Sequence, residues 1–341
     1  MPGSIRRLLG TATMAAVVSA GFVATAAAPA PAAAETVGYT VEFQVPNGVP
    51  NGIGGQRCRL ATVDLASGAV TGIGAYVDDS LACAFDLAFS PGGGLYGISQ
   101  VSEVEPGDAD DAETQIDDPT LFVHLVRFDT ATGAMTDLGQ IGTDEASIQP
   151  GAGGVTFDAS GNLWVYMVGF DDSCDGDAFC LYKVDPANPA DATFYGRDPE
   201  ATYLYGLTAS CSLGVFTVAE ASGSGSVDSA EDVYVLPGGD QLDRVNVGPP
   251  SAAVAVGALI GSNRTVQSLD FDSEGTLHAL GTVTPKGLIE DYGQLSTLDP
   301  TTGVQTLGAK LSGVLGTAVF GLAVAPPTCP QVVEIQPTFT G

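Results

Sequence analysis

The sequence predicts an all-β protein built from repeated antiparallel sheets, and three observations lead there. With 45 Gly, 21 Pro, 7% aromatic and 15% charged residues among 341, the chain has the composition of many short strands joined by tight turns, not of a helical bundle. Its hydrophobic share of 45% is that of a folded core. Two short phrases also alternate along the chain, and internal repetition of this kind sets architecture before any local propensity does.

Taken in order, residues 1–34 read as a signal peptide. Arg6 and Arg7 precede an apolar run that starts at Leu8, and Ala32-Ala33-Ala34 before Glu35 offers a small-residue cleavage site. The arginine pair leaves both the general secretory and the twin-arginine routes open. Cleavage after Ala34 removes two of the 11 basic residues and none of the 40 acidic ones, for a mature charge of about −31. Such a chain repels the phosphates of nucleic acid and anionic membrane surfaces. No later stretch is apolar for the ~18 residues of a spanning helix, so no membrane insertion is expected. A secreted, extracellular or cell-wall-associated monomer is the expectation.

Residues 35–326 hold the repeats. The first phrase is a strand ending in an acidic turn: Leu60 to Asp64 with Gly68, Leu125 to Asp129 with Gly133, and Leu295 to Asp299 with Gly303. Leu181 to Asp185 and Leu242 to Asn246 are looser copies. An Asp able to bond its own turn backbone, followed by a Gly able to take positive φ, is hairpin chemistry. The second phrase is an apolar strand, a Gly turn and another strand: Leu87-Ala-Phe-Ser with Gly94-Leu-Tyr96, Val155-Thr-Phe-Asp with Gly161-Asn-Leu-Trp164, and Leu269-Asp-Phe-Asp with Gly275-Thr-Leu-His278. Leu207-Thr-Ala-Ser with Val215-Phe216 is a weaker copy.

Copies of the first phrase begin at residues 60, 125, 181, 242 and 295, the period of a four-stranded propeller blade. Blades that open on the apolar strand begin near Ala84, Gly153, Tyr203, Val266 and Val319, and the last has one strand before the Pro-rich tail of residues 327–341. Its missing strands are Tyr39 to Phe43, Leu60 to Asp64 and Val70 to Ile73. The expected fold is therefore a five-bladed β-propeller whose N-terminal strands complete the last blade, since such closure removes exposed sheet edges. A ring of another blade number and an open array of sheets are the alternatives.

Six cysteines in an exported chain suit disulfides. Strand phase favours Cys58 with Cys83 and Cys174 with Cys180, which leaves Cys211 with Cys329, one of fifteen connectivities. Zinc fits poorly, because there is no C-x-x-C and the two histidines, His124 and His278, lie far from any cysteine in sequence.

The alternating phrases L-x-x-[VFL]-D-x-x-T-G and L-x-F-[DS]-x-x-G-x-L-[YW] resemble the propeller-like repeat families of bacterial secreted and cell-surface proteins. The resemblance covers nearly the whole mature chain, with the third blade the most divergent. It implies a fold and an extracellular setting, and carries over no catalytic residue and no ligand site.

Chemistry has few candidates. His278 stands where sister repeats have Tyr96 and Trp164, and His124 falls in an alternating strand, so both read as strand residues. The run Ser222 to Ser226 has no G-x-S-x-G elbow. Asp86 and Asp270 lie on expected innermost strands whose other inward positions are small and neutral: Gly154, Gly206, Ser268 and Gly321, or Ala88, Thr156, Thr208 and Ala323. They are the candidate acids of a funnel glycosidase, or else acids that bond neighbouring backbone. No cofactor is expected beyond Ca²⁺, for which Asp171, Asp172, Asp175 and Asp177 offer oxygen ligands in a loop that a Cys174–Cys180 bridge would hold compact. The acids from Asp108 to Asp118 read as a solvated insertion. The reading is an exported non-catalytic binding or scaffold module for an extracellular glycan or protein ligand, with a carbohydrate-active enzyme using Asp86 and Asp270 as the alternative.

Overall fold

Each acidic turn ends its strand in the same way. Asp64 Oδ1 accepts from the N–H groups of Ala66 and Ser67 at 3.1 and 2.6 Å, Asp129 Oδ1 from Ala131 and Thr132, both at 2.9 Å, and Asp299 Oδ1 from Thr301 and Thr302 at 2.7 and 3.2 Å. The glycine four residues on sits at φ 72° or 73° in all three and donates its N–H to the Asp carbonyl at 2.8 Å. A side chain that caps the turn and a residue free to enter the left-handed region together reverse the chain in a few residues.

These turns belong to a computed structural model that describes residues 37–44, 57–78, 80–103, 120–142, 146–147, 153–158, 160–169, 174, 179–198, 204–210, 214–219, 241–245, 253–258, 264–283, 292–314 and 318–324. Contacts divide the chain into Met1–Ala34 and Glu35–Gly341. The signal peptide expected over residues 1–34 lies outside the described residues, and everything below concerns the second unit.

The chain opens with β1 (Val37–Gln44), β2 (Arg57–Asp64) and β3 (Val70–Gly72), and a 3₁₀ turn (Ser80–Ala82) leads into β4 (Asp86–Phe89), β5 (Leu95–Glu103), β6 (Thr120–Phe128) and β7 (Met135–Gln140). Next come β8 (Ala146–Ser147), β9 (Gly154–Phe157), β10 (Leu163–Gly169), β11 (Phe179–Asp185) and β12 (Asn188–Asp198). They are followed by β13 (Leu204–Ser210), β14 (Gly214–Ala219), β15 (Gln241–Val245) and β16 (Ala253–Ala258). The last strands are β17 (Arg264–Phe271), β18 (Leu277–Val283), β19 (Tyr292–Leu298), β20 (Gln305–Lys310) and β21 (Ala318–Val324).

All pairing is antiparallel within the sheets, and the architecture is a β-propeller. Four sheets are regular four-stranded blades, β4 to β7, β13 to β16, β17 to β20, and a closing blade in the order β21-β1-β2-β3. That blade joins one C-terminal strand to three N-terminal ones, with Val41 opposite Phe320 and Phe43 opposite Ala318.

The remaining sheet corrects the expectation of a five-bladed propeller: four sheets are four-stranded blades, and the other is an irregular, five-stranded sheet, β12-β11-β10-β8 with β9 also on β10. The extra strand lies on the part of the β10 edge beyond β9. The four residues of β9 pair only Leu163 to Tyr166 of the seven-residue β10, and β8 pairs Val168 and Gly169 farther along the same edge. Backbone groups that β9 cannot reach are satisfied by this second, two-residue strand.

The innermost strands touch in the cyclic order β4, β9, β13, β17, β21 and back to β4. The core lies in layers between neighbouring sheets. Ile98, Leu125, Val155, Val165 and Tyr182 fill one such layer, and Ala61, Val63, Leu280, Leu295 and Leu322 fill another, against the closing blade. Such faces alternate along each strand, which is why the apolar positions of both phrases have period two.

Three further features hold the closing blade. Cys58 in β2 is bonded to Cys83, just before β4, with Cα atoms 5.2 Å apart. Across the β1–β2 register, Arg59 Nε donates to Glu42 Oε2 at 2.6 Å, and the Glu42 side chain is 0% exposed. The Arg59 guanidinium also lies 4.3 Å from the centroid of the Tyr76 ring. The second bridge, Cys174–Cys180, closes a loop entering β11. Both bridges are those favoured by strand phase, whereas Cys211 and Cys329 lie outside the described residues.

Candidate functional site

Innermost strands of a ring have one edge with no neighbour, so their inward N–H groups need partners. The two candidate acids supply them. Asp86, on β4, is 1% exposed, and its Oδ2 accepts from the backbone N–H of Val155 on β9 at 2.9 Å and of Leu207 on β13 at 3.3 Å. Its Oδ1 accepts from the Ser268 hydroxyl on β17. Ser268 Oγ in turn accepts from the N–H of Leu322 on β21 at 2.8 Å. One carboxyl and one hydroxyl thus link all five innermost strands.

Space for this comes from glycine. A Cβ at Gly154 would lie 2.5 Å from the Leu207 nitrogen, and one at Gly206 would lie 2.8 Å from Ser268 Cα. At Gly321 it would meet Asp86 Cα at 3.2 Å. The small inward residues seen in sequence therefore bring backbones together around Asp86, where larger side chains would hold them apart.

Asp270 does similar work one layer along. Its Oδ1 accepts from the Thr208 hydroxyl on β13 at 2.8 Å and from the Phe271 N–H at 2.9 Å. Its Oδ2 accepts from the Val324 N–H on β21 at 2.7 Å. Among the described residues, no Lys, Arg or His forms an ion pair with either acid.

Electrostatics follow from burial without a counter-cation. Desolvation pushes the Asp86 carboxyl up to about 8, against the downward pull of the Ser268 hydroxyl and the Val155, Leu87 and Leu207 N–H groups. Asp270 is pushed up to about 7, again by desolvation first, with the neighbouring Asp272 charge adding to it. Carboxyls so placed can donate as well as accept a hydrogen bond near neutral pH.

His278 is a strand residue as expected, on β18, and its side chain reaches back to the preceding turn. Its Nε2 lies 2.9 Å from Asp272 Oδ2, as Trp164 Nε1 donates to Asp158 Oδ2 at 2.9 Å in the sister repeat. Asp158 and Asp272 also accept backbone N–H groups within their turns. Desolvation raises Asp272, but the His278, Thr276 and Glu274 hydrogen bonds outweigh it and leave the carboxyl below its usual range. His124, on β6, contacts Asp137 at 3.1 Å.

Sequence reading singled out Asp86 and Asp270 but missed Ser268 as the partner of Asp86 and the Glu42–Arg59 pair. Ser268 is two residues before Asp270 on the same strand, and that i, i+2 spacing was the available signal. The calcium candidates Asp171, Asp172, Asp175 and Asp177, the acidic insertion from Asp108 to Asp118 and the run Ser222 to Ser226 lie outside the described residues. Among the described residues, no cluster of His, Cys, Asp or Glu is arranged to hold a metal ion, and no helix is long and apolar enough to cross a membrane.

No protein-family model matches the chain, and no curated protein matches it. Among solved structures, the exo-β-1,3-galactanase of Phanerochaete chrysosporium is similar at 13% identity over 83% of this chain and 63% of its own, with a TM-score of 0.46. The endo-arabinase of Bacteroides thetaiotaomicron aligns at 12% identity over 71% and 86%, with a TM-score of 0.40. Dipeptidyl peptidase 4 of Porphyromonas gingivalis aligns at 13% over 80% and 44%, with a TM-score of 0.34. This chain spans less than two thirds of the galactanase and of the peptidase. Proteins of such different activity share a strand layout at this level, and the similarity carries no argument about chemistry.

Proposed function

We propose that this chain is an exported, non-catalytic binding or scaffold module on a β-propeller that presents loops to an extracellular glycan or protein. The observation that supports it is the occupation of Asp86 and Asp270. Catalytic carboxyls of a glycosidase face substrate and a water across an open site. Here Asp86 is buried, and both acids accept hydrogen bonds from neighbouring inner strands. The rigid ring they fasten leaves recognition to its loops. Two disulfides fit an oxidising, extracellular setting.

A thermal-shift screen of the mature protein against glycans and cell-wall fragments, with and without Ca²⁺, tests this reading, because a ligand stabilises the state it binds. The expected result is a raised Tm with one ligand and no product over time. Turnover that Asp86→Asn or Asp270→Asn abolishes in a folded protein overturns it in favour of the carbohydrate-active enzyme.

A further inference from the structure

We propose that the ring axis is a proton-operated clamp: Asp86 and Asp270 hold the five innermost strands together in their protonated form, and their ionisation loosens the ring. The inference rests on reading these acids as structural and goes beyond it by making the fold respond to pH.

The geometry carries it. Asp86 reaches β9, β13 and β17 directly and β21 through Ser268, while Asp270 ties β17 to β13 and β21. A charge held there is desolvated, and among the described residues no Lys, Arg or His pairs with it. From the packed elements, β9 and β21 bring no titratable residue, β13 brings only Tyr205, and β4 only Asp86 itself. On β5, Tyr96 packs on Phe157 and Glu103 stands at the far end of the strand. On β1, Tyr39 stacks on Phe89 and Glu42 is paired with Arg59. β17 carries Arg264 at its opposite end, and His278 of β18 is engaged by Asp272. The Asp272 charge, of the same sign, pushes Asp270 further up.

A proton on Asp86 Oδ1 turns the Ser268 contact round, so that the carboxyl donates and Ser268 Oγ accepts, while Oδ2 keeps both backbone N–H groups. No link between strands is lost, and the unpaired charge is removed. Ionisation restores the charge at the place where five backbones converge. The half-buried Asp270 charge adds to it on the same ring of strands, and opening the ring to water relieves both.

The test is the Tm of the full mature chain from pH 4 to pH 9, compared with Asp86→Asn, Asp270→Asn and the double variant. Asn keeps an acceptor and a donor but cannot ionise. Wild type is expected to lose several degrees relative to the double variant as pH rises from about 4, the loss levelling off above about 7 to 8, the subtraction removing the contribution of surface acids common to both. Parallel curves overturn the clamp. Should the variants fail to fold, infrared spectra of the wild type decide instead: protonated-carboxyl absorption that persists at pH 6 and vanishes by pH 9 supports the clamp, and its absence at pH 6 overturns it. Parallel curves leave the non-catalytic reading intact, whereas that reading fails only on turnover.

Discussion

At the scale of single residues, Asp86 has two separable roles, as acceptor and as titrating group. Asp86→Ala leaves the Val155 and Leu207 N–H groups without a partner in a buried site, at about 1–3 kcal/mol for each orphaned group. Chemical denaturation should therefore show a loss of about 3 kcal/mol or more for Asp86→Ala and a much smaller one for Asp86→Asn. The pH sign follows from linkage. Asp86 titrates at about 8 in the folded chain against an ordinary 3.8, so folded protein holds the proton more tightly. Its contribution is complete below the ordinary value and is lost as pH rises from there through about 8. Asp272 works the other way. Its carboxyl is lowered, so what it contributes is present above the ordinary value and lost as pH falls through the lowered one, and His278→Ala should shrink this acid-side loss in a pH titration of stability.

At the scale of elements, glycines of different kinds are not equivalent. Gly154→Ala places a Cβ 2.5 Å from backbone nitrogen in the next strand, which neither β9 nor β13 can relieve without parting the ring. It should cost about 3 kcal/mol, at the upper end for overpacking. Gly161→Ala meets nothing within 4 Å and is strained only by φ of 81°, for about 1 kcal/mol. A pair of urea titrations separates them. The closing blade depends on the buried Glu42–Arg59 pair, and Arg59→Met, which removes the cation from the buried Glu42, should cost about 3–5 kcal/mol. Both phrases were legible as strand and turn, because Asp-to-N–H caps and left-handed glycines act within five residues of chain. The irregular sheet was not, since β8 forms only where the long edge of β10 outruns β9.

At the scale of the whole molecule, stability depends on closure. β1 is the strand that joins the two ends of the chain, and the Cys58–Cys83 bridge, spanning 25 residues, ties that blade to the next sheet. Replacing both cysteines by serine should lower stability by about 3 kcal/mol, and replacing Cys174 and Cys180, six residues apart, by about 2, as the entropy of the smaller loop requires. The measurement is unfolding under non-reducing conditions. Removing residues 35–44 should cost far more, because two sheet edges are then exposed at once.

Repeat spacing, with one unmatched strand at the C-terminal end and three at the N-terminal end, determined the propeller, its N-terminal closure and two disulfide pairs, since all of these follow from strand order and phase. Strand order also placed Asp86 and Asp270 on inner strands. Only the tertiary structure decided what those acids do, because their partners, Val155, Leu207, Ser268, Thr208 and Val324, come from other sheets 54 to 182 residues away. A carboxylate's role is set by what surrounds it, and around the axis of a ring those surroundings come from every blade.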